Sequence, residues 1–241
     1  MATLKMAPTE VELLLHTAEG EFAQMVALVE TQLSEAIAAF ERRDVALAEK
    51  VALSDEKVDA LNQRLDDRAF ALLQAKSLSD RVLRHAASFL KLSGELERVG
   101  DLAKNVAKRS VIICRQPPFD SSQVAGIVRL GRASLRQLSD ILDAYQAGNL
   151  AGAEAVWSGD DDLDELYNSL YAELIGAMTE NPVRVEPGAH LLFIVKNFER
   201  IGDHATNIAE VFHFLETGAH FEDDRPKGQD PATVALPPRA S

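Results

Sequence analysis

Glu97-Arg98-Val99-Gly100-Asp101-Leu102-Ala103-Lys104-Asn105 is answered 102 residues later by Glu199-Arg200-Ile201-Gly202-Asp203-His204-Ala205-Thr206-Asn207. The shared rule is Glu-Arg-(Val/Ile)-Gly-Asp-x-Ala-x-Asn, so the 241-residue chain carries an internal duplication. On a helix, residues at i, i+4 and i+8 line one face. Glu97, Asp101 and Asn105 then form one column, and Glu199, Asp203 and Asn207 a second. Like charges at i, i+4 repel by a few tenths of a kcal/mol, and an interior glycine costs a helix about 1 kcal/mol more. Both costs call for compensation.

The duplication extends outward from the motif. Phe40, Asp44, Val45, Ala46, Ala48 and Val51 map onto Tyr145, Asn149, Leu150, Ala151, Ala153 and Val156 at a constant offset of 105. The same offset carries Asp55, Val58, Asp59, Leu61 and Leu65 onto Asp160, Leu163, Asp164, Leu166 and Leu170. It falls to 102 at the nonapeptide, which places a three-residue loss in the second copy opposite residues 73–96. A period near 100 residues is too long for a solenoid and long enough for each copy to be a bundle.

Composition bounds the class. With 46% hydrophobic and 26% charged residues the chain has the balance of a soluble globular protein. No uninterrupted apolar run approaches a membrane span, and Met1–Pro8 lacks a secretory core, so the cytosol is expected. The single Cys114 suits a reducing compartment, as an apolar filler near a helix end. A formal net charge of -13 argues against nucleic-acid binding, which needs a basic footprint.

Between Pro8 and Pro117 there is no proline, and apolar residues recur at helical spacing, as in Leu28, Leu33, Ile37 and Phe40. The pattern predicts helices over about 10–42, 44–77, 79–114, 121–147, 149–180 and 187–217. Pro117-Pro118 separates the halves, and Asn181-Pro182 ends the fifth helix. The predicted architecture is all-α, two tandem three-helix bundles over residues 1–116 and 121–218. A proline-containing tail over 219–241 is expected to be disordered.

In an antiparallel hairpin, positions equally far from the turn stand level. Asp55/Asp59 and Glu97/Asp101 are equidistant from residue 78; Asp160/Asp164 and Glu199/Asp203 are equidistant from Asn181-Pro182. Each half thus brings four carboxylates to one height, with Asn105 or Asn207 a turn away. That oxygen-rich set suits hard cations such as Mg, Ca or Mn and can hold iron. Plainer readings stand beside it. The columns can be solvated helix faces, the glycines can serve close packing, and Asp160–Asp162 can cap a helix. Lys104 and Lys108 can pair with Asp101, whereas Thr206 and Glu210 add no positive charge, which favours the second column.

Other constellations are weaker. Glu210 and His213 match the i, i+3 ligand pair of di-iron bundles, but the second pair is missing. His204 reads as a packing or surface residue, and His16, His85, His190 and His220 have no convergent partners in sequence. No phosphate loop, nucleophile elbow or paired cysteine motif occurs, so an enzyme is not expected.

The two motif copies, each closing a three-helix repeat, together with Val211-Phe212-x-Phe214-Leu215-x-Thr217-Gly218, resemble the PhoU family over about residues 10–218. The resemblance implies a cytoplasmic negative regulator of phosphate uptake and of the phosphate-starvation response. It would act as an adaptor between the phosphate ABC transporter and the phosphate-sensing histidine kinase, meeting the membrane only through those partners. A second copy of the chain is a further candidate partner. The resemblance also implies acidic motifs able to bind iron, zinc, manganese or magnesium. The alternative is a carboxylate-bridged metal store or metalloenzyme, which the missing histidine ligand disfavours.

Overall fold

The computed structural model describes residues 7–75, 78–117, 119–159 and 161–221, leaving the Asp161 side chain outside the description. The described residues form α1 (Pro8–Arg42), α2 (Val45–Leu73), α3 (Asp80–Cys114), α4 (Ser121–Ala147), α5 (Leu150–Ser158), α6 (Asp161–Glu180) and α7 (Val185–Thr217), with a 3-10 turn at Pro182–Arg184.

Local chemistry sets the corners, and it is duplicated. Asp44 accepts from the backbone of Leu47 at 3.0 Å and Asn149 from that of Gly152 at 3.1 Å, capping α2 and α5 at the same offset of 105. Such a cap contributes about 1 kcal/mol. One residue earlier stand Gly148 and Arg43, both in the left-handed region with φ of 63° and 54°. Glycine adopts that conformation freely, whereas an L side chain is strained there by about 1–2 kcal/mol. Arg43 offsets the strain by donating to the carbonyls of Ile113, Cys114 and Gln116 at 3.2, 2.9 and 2.7 Å. Its charge also complements the C-terminal end of the α3 dipole.

The long helices bury one face each, and their buried apolar residues join one cluster that runs through both halves. α3 packs on α7 and α1 on α4, while α2 and the α5–α6 pair lie on the outer flanks. Glu95 meets His204 and Arg109 meets His190, so α3 and α7 run antiparallel. Arg132 with Glu41 and Ser139 with Glu30 show the same for α4 and α1. The amino-terminal parts of the two nonapeptides therefore face one another where α3 and α7 cross. Tyr145 locks the halves, with its ring 5.4 Å from both Phe22 and Phe212 in edge-on contacts. Such pairs add about 0.5–1.5 kcal/mol each beyond burial.

Four expectations need correction. The predicted helix over 149–180 is broken: α5 ends at Ser158, with Gly159 as its C-cap, and α6 begins at Asp161. Glycine is a poor interior helix residue, and its equivalent in the first half, Ser54, lies within the unbroken α2. α7 starts at Val185 rather than 187, because Pro187 is tolerated in a first turn where its missing N–H needs no partner. α2 ends at Leu73 rather than 77. The tail expectation covered 219–241, yet Ala219–Phe221 are placed: Phe221 stacks between Trp157 and His213 at 4.4 and 4.1 Å. Residues 222–241 lie outside the described residues, as does Ser77 at the first hairpin. No helix among the described residues is long and apolar enough to cross a membrane.

Candidate functional site

The first column lies in the groove between α2 and α3. Asp55 is buried at 4% exposure, and its Oδ1 accepts from Gln32 Nε2 of α1 at 3.3 Å. Lys104 forms ion pairs with both Asp55 and Asp101. Although burial works against its charge, hydrogen bonds to those two carboxylates hold the Lys104 ammonium above the usual lysine range. Asp59 and Glu97 complete the group. Burial, then the negative charge of Asp55, pushes Asp59 up; burial, then Asp101 and Asp59, pushes Glu97 up. The four carboxylates thus feel one another, as the equal-height argument requires. A lysine of the same helix is the cation among them. Asn105 is exposed one turn away.

The second column lies between α6 and α7. Glu199 is 12% exposed and pairs with Lys196 at 2.6 Å, while its Oε2 is buried without a hydrogen-bond partner. Burial drives its carboxyl above the ordinary range, with Lys196 opposing and Asp203 and Asp164 adding to the rise. Asp203 and Asp164 therefore stand near Glu199, whereas Asp160 lies outside the described residues. Thr206 and Glu210 add no positive charge here, as read from the sequence, but Lys196, three residues before Glu199, supplies one from the other side. Asn207 leaves the column: its Nδ2 donates to Glu95 of α3 at 3.2 Å.

Sequence reasoning also missed the residues around the motif glycines. Gln32 and Gln137, separated by the same 105, reach these glycines from α1 and α4. A Cβ on Gly100 would stand 3.2 Å from Gln32 Oε1 and 3.3 Å from Val58 Cγ1; one on Gly202 would stand 2.9 Å from Gln137 Oε1 and 3.1 Å from Leu163 Cδ2. The glycines admit a polar side chain from the first helix of each bundle beneath the acidic columns, so close approach explains them. The constant offset was the available signal.

His204 is packed between the two halves, with its side chain 12% exposed. Its Nδ1 lies 2.7 Å from Glu95 Oε2, joining the two halves. Burial would raise Glu95, but the bonds from His204 and Asn207 outweigh it and hold that carboxyl low. His190, expected to lack a partner, has Nδ1 3.2 Å from Arg109 Nη1, and the Arg109 guanidinium lies 3.9 Å over the Phe193 ring. His213 of the Glu210 pair stacks on Phe221, while Glu210 Oε1 accepts from Trp157 Nε1 at 3.3 Å. Among the described residues no three His, Cys, Asp or Glu side chains gather so as to hold a metal ion. In the first column the Lys104 ammonium stands between Asp55 and Asp101, where a cation would otherwise meet them. In the second, the orphaned buried oxygen of Glu199 is the feature that a cation would satisfy.

Residues 22–110 and 127–212 each match the model of the PhoU domain. A phosphate-specific transport system accessory protein PhoU homolog of Caulobacter vibrioides is 42% identical over 208 residues, spanning 86% of this chain and 90% of that protein. The homolog of Rhizobium meliloti is 35% identical over 212 residues, with 88% and 89% covered. The crystal structure of PhoU from Pseudomonas aeruginosa superposes with a TM-score of 0.80 at 28% identity, covering 86% of this chain and 99% of that one. The phosphate transport system regulatory protein PhoU from Streptococcus pneumoniae gives 0.78 at 27% identity, covering 88% and 99%. Two matched repeats, the duplicated acidic motif and the helical architecture agree: the chain belongs to the PhoU family.

Proposed function

We propose that this protein is a cytoplasmic negative regulator of phosphate uptake, an adaptor that carries the state of the phosphate ABC transporter to the phosphate-sensing histidine kinase. The observation that carries the reading is the duplicated acidic helix motif on a scaffold whose relatives are named as accessory proteins of the phosphate-specific transport system. A two-bundle body presents long helix faces to partners on several sides, which is what an adaptor requires. A clean deletion tests it: the phosphate-starvation response should stay on in phosphate-replete medium. Normal repression in that strain, with no second copy of the gene, refutes the adaptor role.

A second reading attaches to Glu199. Its unpartnered buried oxygen, beside Asp203 and Asp164, supports a divalent or iron cation at the second column. Such an ion would offset the like-charge cost and tie α6 to α7. Metal analysis of the purified protein, with Glu199→Gln as control, tests this apart from signalling. Phosphatase or oxidase turnover would favour a metalloenzyme instead.

A further inference from the structure

The groove between the first and second helices of each bundle is filled in one half and open in the other. In the first half Lys50 of α2 reaches Glu35 of α1 at 2.6 Å, and Leu28 packs against the core. What stays open there is a space of about 470 Å³ beside Leu28 and Leu61. At the offset of 105 Glu35 becomes Asp140, but Lys50 becomes Ala155 and Leu28 becomes Ala133. The groove between α4 and the α5–α6 flank accordingly holds about 830 Å³, with Leu163 and Leu166 in its apolar lining. Along its α4 wall stand Arg129 and Arg136, then Asp140 and Asp143, and none of the four forms an ion pair with a described residue.

The half with the open groove also carries the carboxy-terminal segment. Phe221, stacked between Trp157 and His213, is held beside α5, which forms part of the groove wall. In the residues that follow, Asp230 precedes Val234-Ala235-Leu236, and Arg239 comes after them: an anion, an apolar centre and a cation. The α4 wall reads cation then anion in the same direction. We propose that this segment of the chain docks in the groove parallel to α4, with Asp230 at Arg129, Val234-Ala235-Leu236 over Ala133, Leu163 and Leu166, and Arg239 at Asp140 and Asp143. Arg239 then gives Asp140 the cation that Lys50 gives Glu35, and the apolar centre covers what the larger side chains cover in the first half.

The lengths agree. Pro231, Pro237 and Pro238 favour an extended course of about 3.1 Å per residue, which sets Asp230 and Arg239 about 28 Å apart. Arg129 and Asp143 stand about 21 Å apart along α4, and an arginine side chain at each end takes up the difference. Residues 222–230 span up to about 30 Å, enough to pass around α5, half of whose girth is about 16 Å. Exposed charge pairs contribute little, so the apolar centre carries the contact, and the tether keeps it at an effective concentration in the millimolar range.

The mobility of a nitroxide on Thr233→Cys, in the full chain with Cys114→Ser, tests the docking. A slow spectral component should dominate in this background and give way to a fast one in Ala133→Leu/Ala155→Lys, which restores the side chains of the first half. Asp140→Lys/Asp143→Lys should also release the segment, and Arg239→Glu added to that pair should return the slow component, because the facing charges are again opposite in sign. An excess of unlabelled Ala133→Leu/Ala155→Lys chain should leave the slow component unchanged, since groove and segment belong to one chain. A nitroxide that is fast with the groove intact overturns the proposal and leaves the groove to another protein. So does a slow component that survives the refilled groove, or charge reversal without rescue in variants whose circular dichroism is unchanged. Loss of the slow component on mixing overturns it as well, because the docked segment then comes from a second copy.

Discussion

Replacing Lys104 with Met keeps the aliphatic reach and removes the ammonium that joins Asp55 to Asp101. Asp55 would then be a carboxylate at 4% exposure with Gln32 Nε2 as its remaining donor and Asp59, Glu97 and Asp101 as neighbours. Removing one partner of a fully buried ion pair costs about 3–5 kcal/mol. Lys104 is 22% exposed and Asp101 45%, so water takes up part of the loss and about 2–3 kcal/mol remains. For a chain of this length 1 kcal/mol moves Tm by about 2–4 °C, so calorimetry at pH 7 should show a fall of about 5–10 °C. The penalty belongs to an ionised carboxylate. Asp55→Asn added to Lys104→Met should recover most of the loss at pH 7, and Mg or Mn should stabilise the single variant but not the wild-type first column. A Lys104→Met protein that melts within about 1 °C of the wild type would show that the cluster is no more than a solvated helix face.

Glu199→Gln should be neutral or slightly stabilising without metal, by a few tenths of a kcal/mol. The raised carboxyl of Glu199 means that the folded state holds its proton more tightly, so wild-type stability falls as pH rises above 4.5; pH-dependent melts of the variant should lack that fall. If a divalent cation binds there, about 100-fold excess over Kd adds roughly 2.7 kcal/mol to the wild type and not to the variant. Arg43→Ala should cost about 2–3 kcal/mol in urea unfolding by freeing the carbonyls of Ile113, Cys114 and Gln116 at and just beyond the end of α3, and Arg43→Gly less, because glycine relieves the positive φ. Gly131→Ala should destabilise by about 1–2 kcal/mol despite a better helix former, since its Cβ would lie 2.8 Å from Cζ of the fully buried Phe198.

The acidic columns were legible because a hairpin fixes heights by arithmetic. Asp55, Asp59, Glu97 and Asp101 share one neighbourhood as that arithmetic requires, and Lys104 could be suspected from its place three residues beyond Asp101. The arithmetic specifies height but not azimuth. Asn207, one turn along the same nominal face, reaches Glu95 on the other bundle instead. Glu95–His204 and Arg109–His190 were invisible for the same reason: each joins residues more than eighty positions apart, across an interface no local pattern encodes.

What the sequence determined by itself is what short-range forces govern: helices from apolar period and missing breakers, corners from caps and prolines, and two copies of one bundle from the repeat offsets. The tertiary structure decided how the copies meet, with α3 on α7 and α1 on α4 around one core. It also decided which charges are neutralised from within, Lys104 in the first column and Lys196 against one oxygen of Glu199 in the second. Those outcomes depend on burial and on distances of a few ångströms between segments remote in the chain, because the strength of a charge interaction is set by how much water its neighbours exclude.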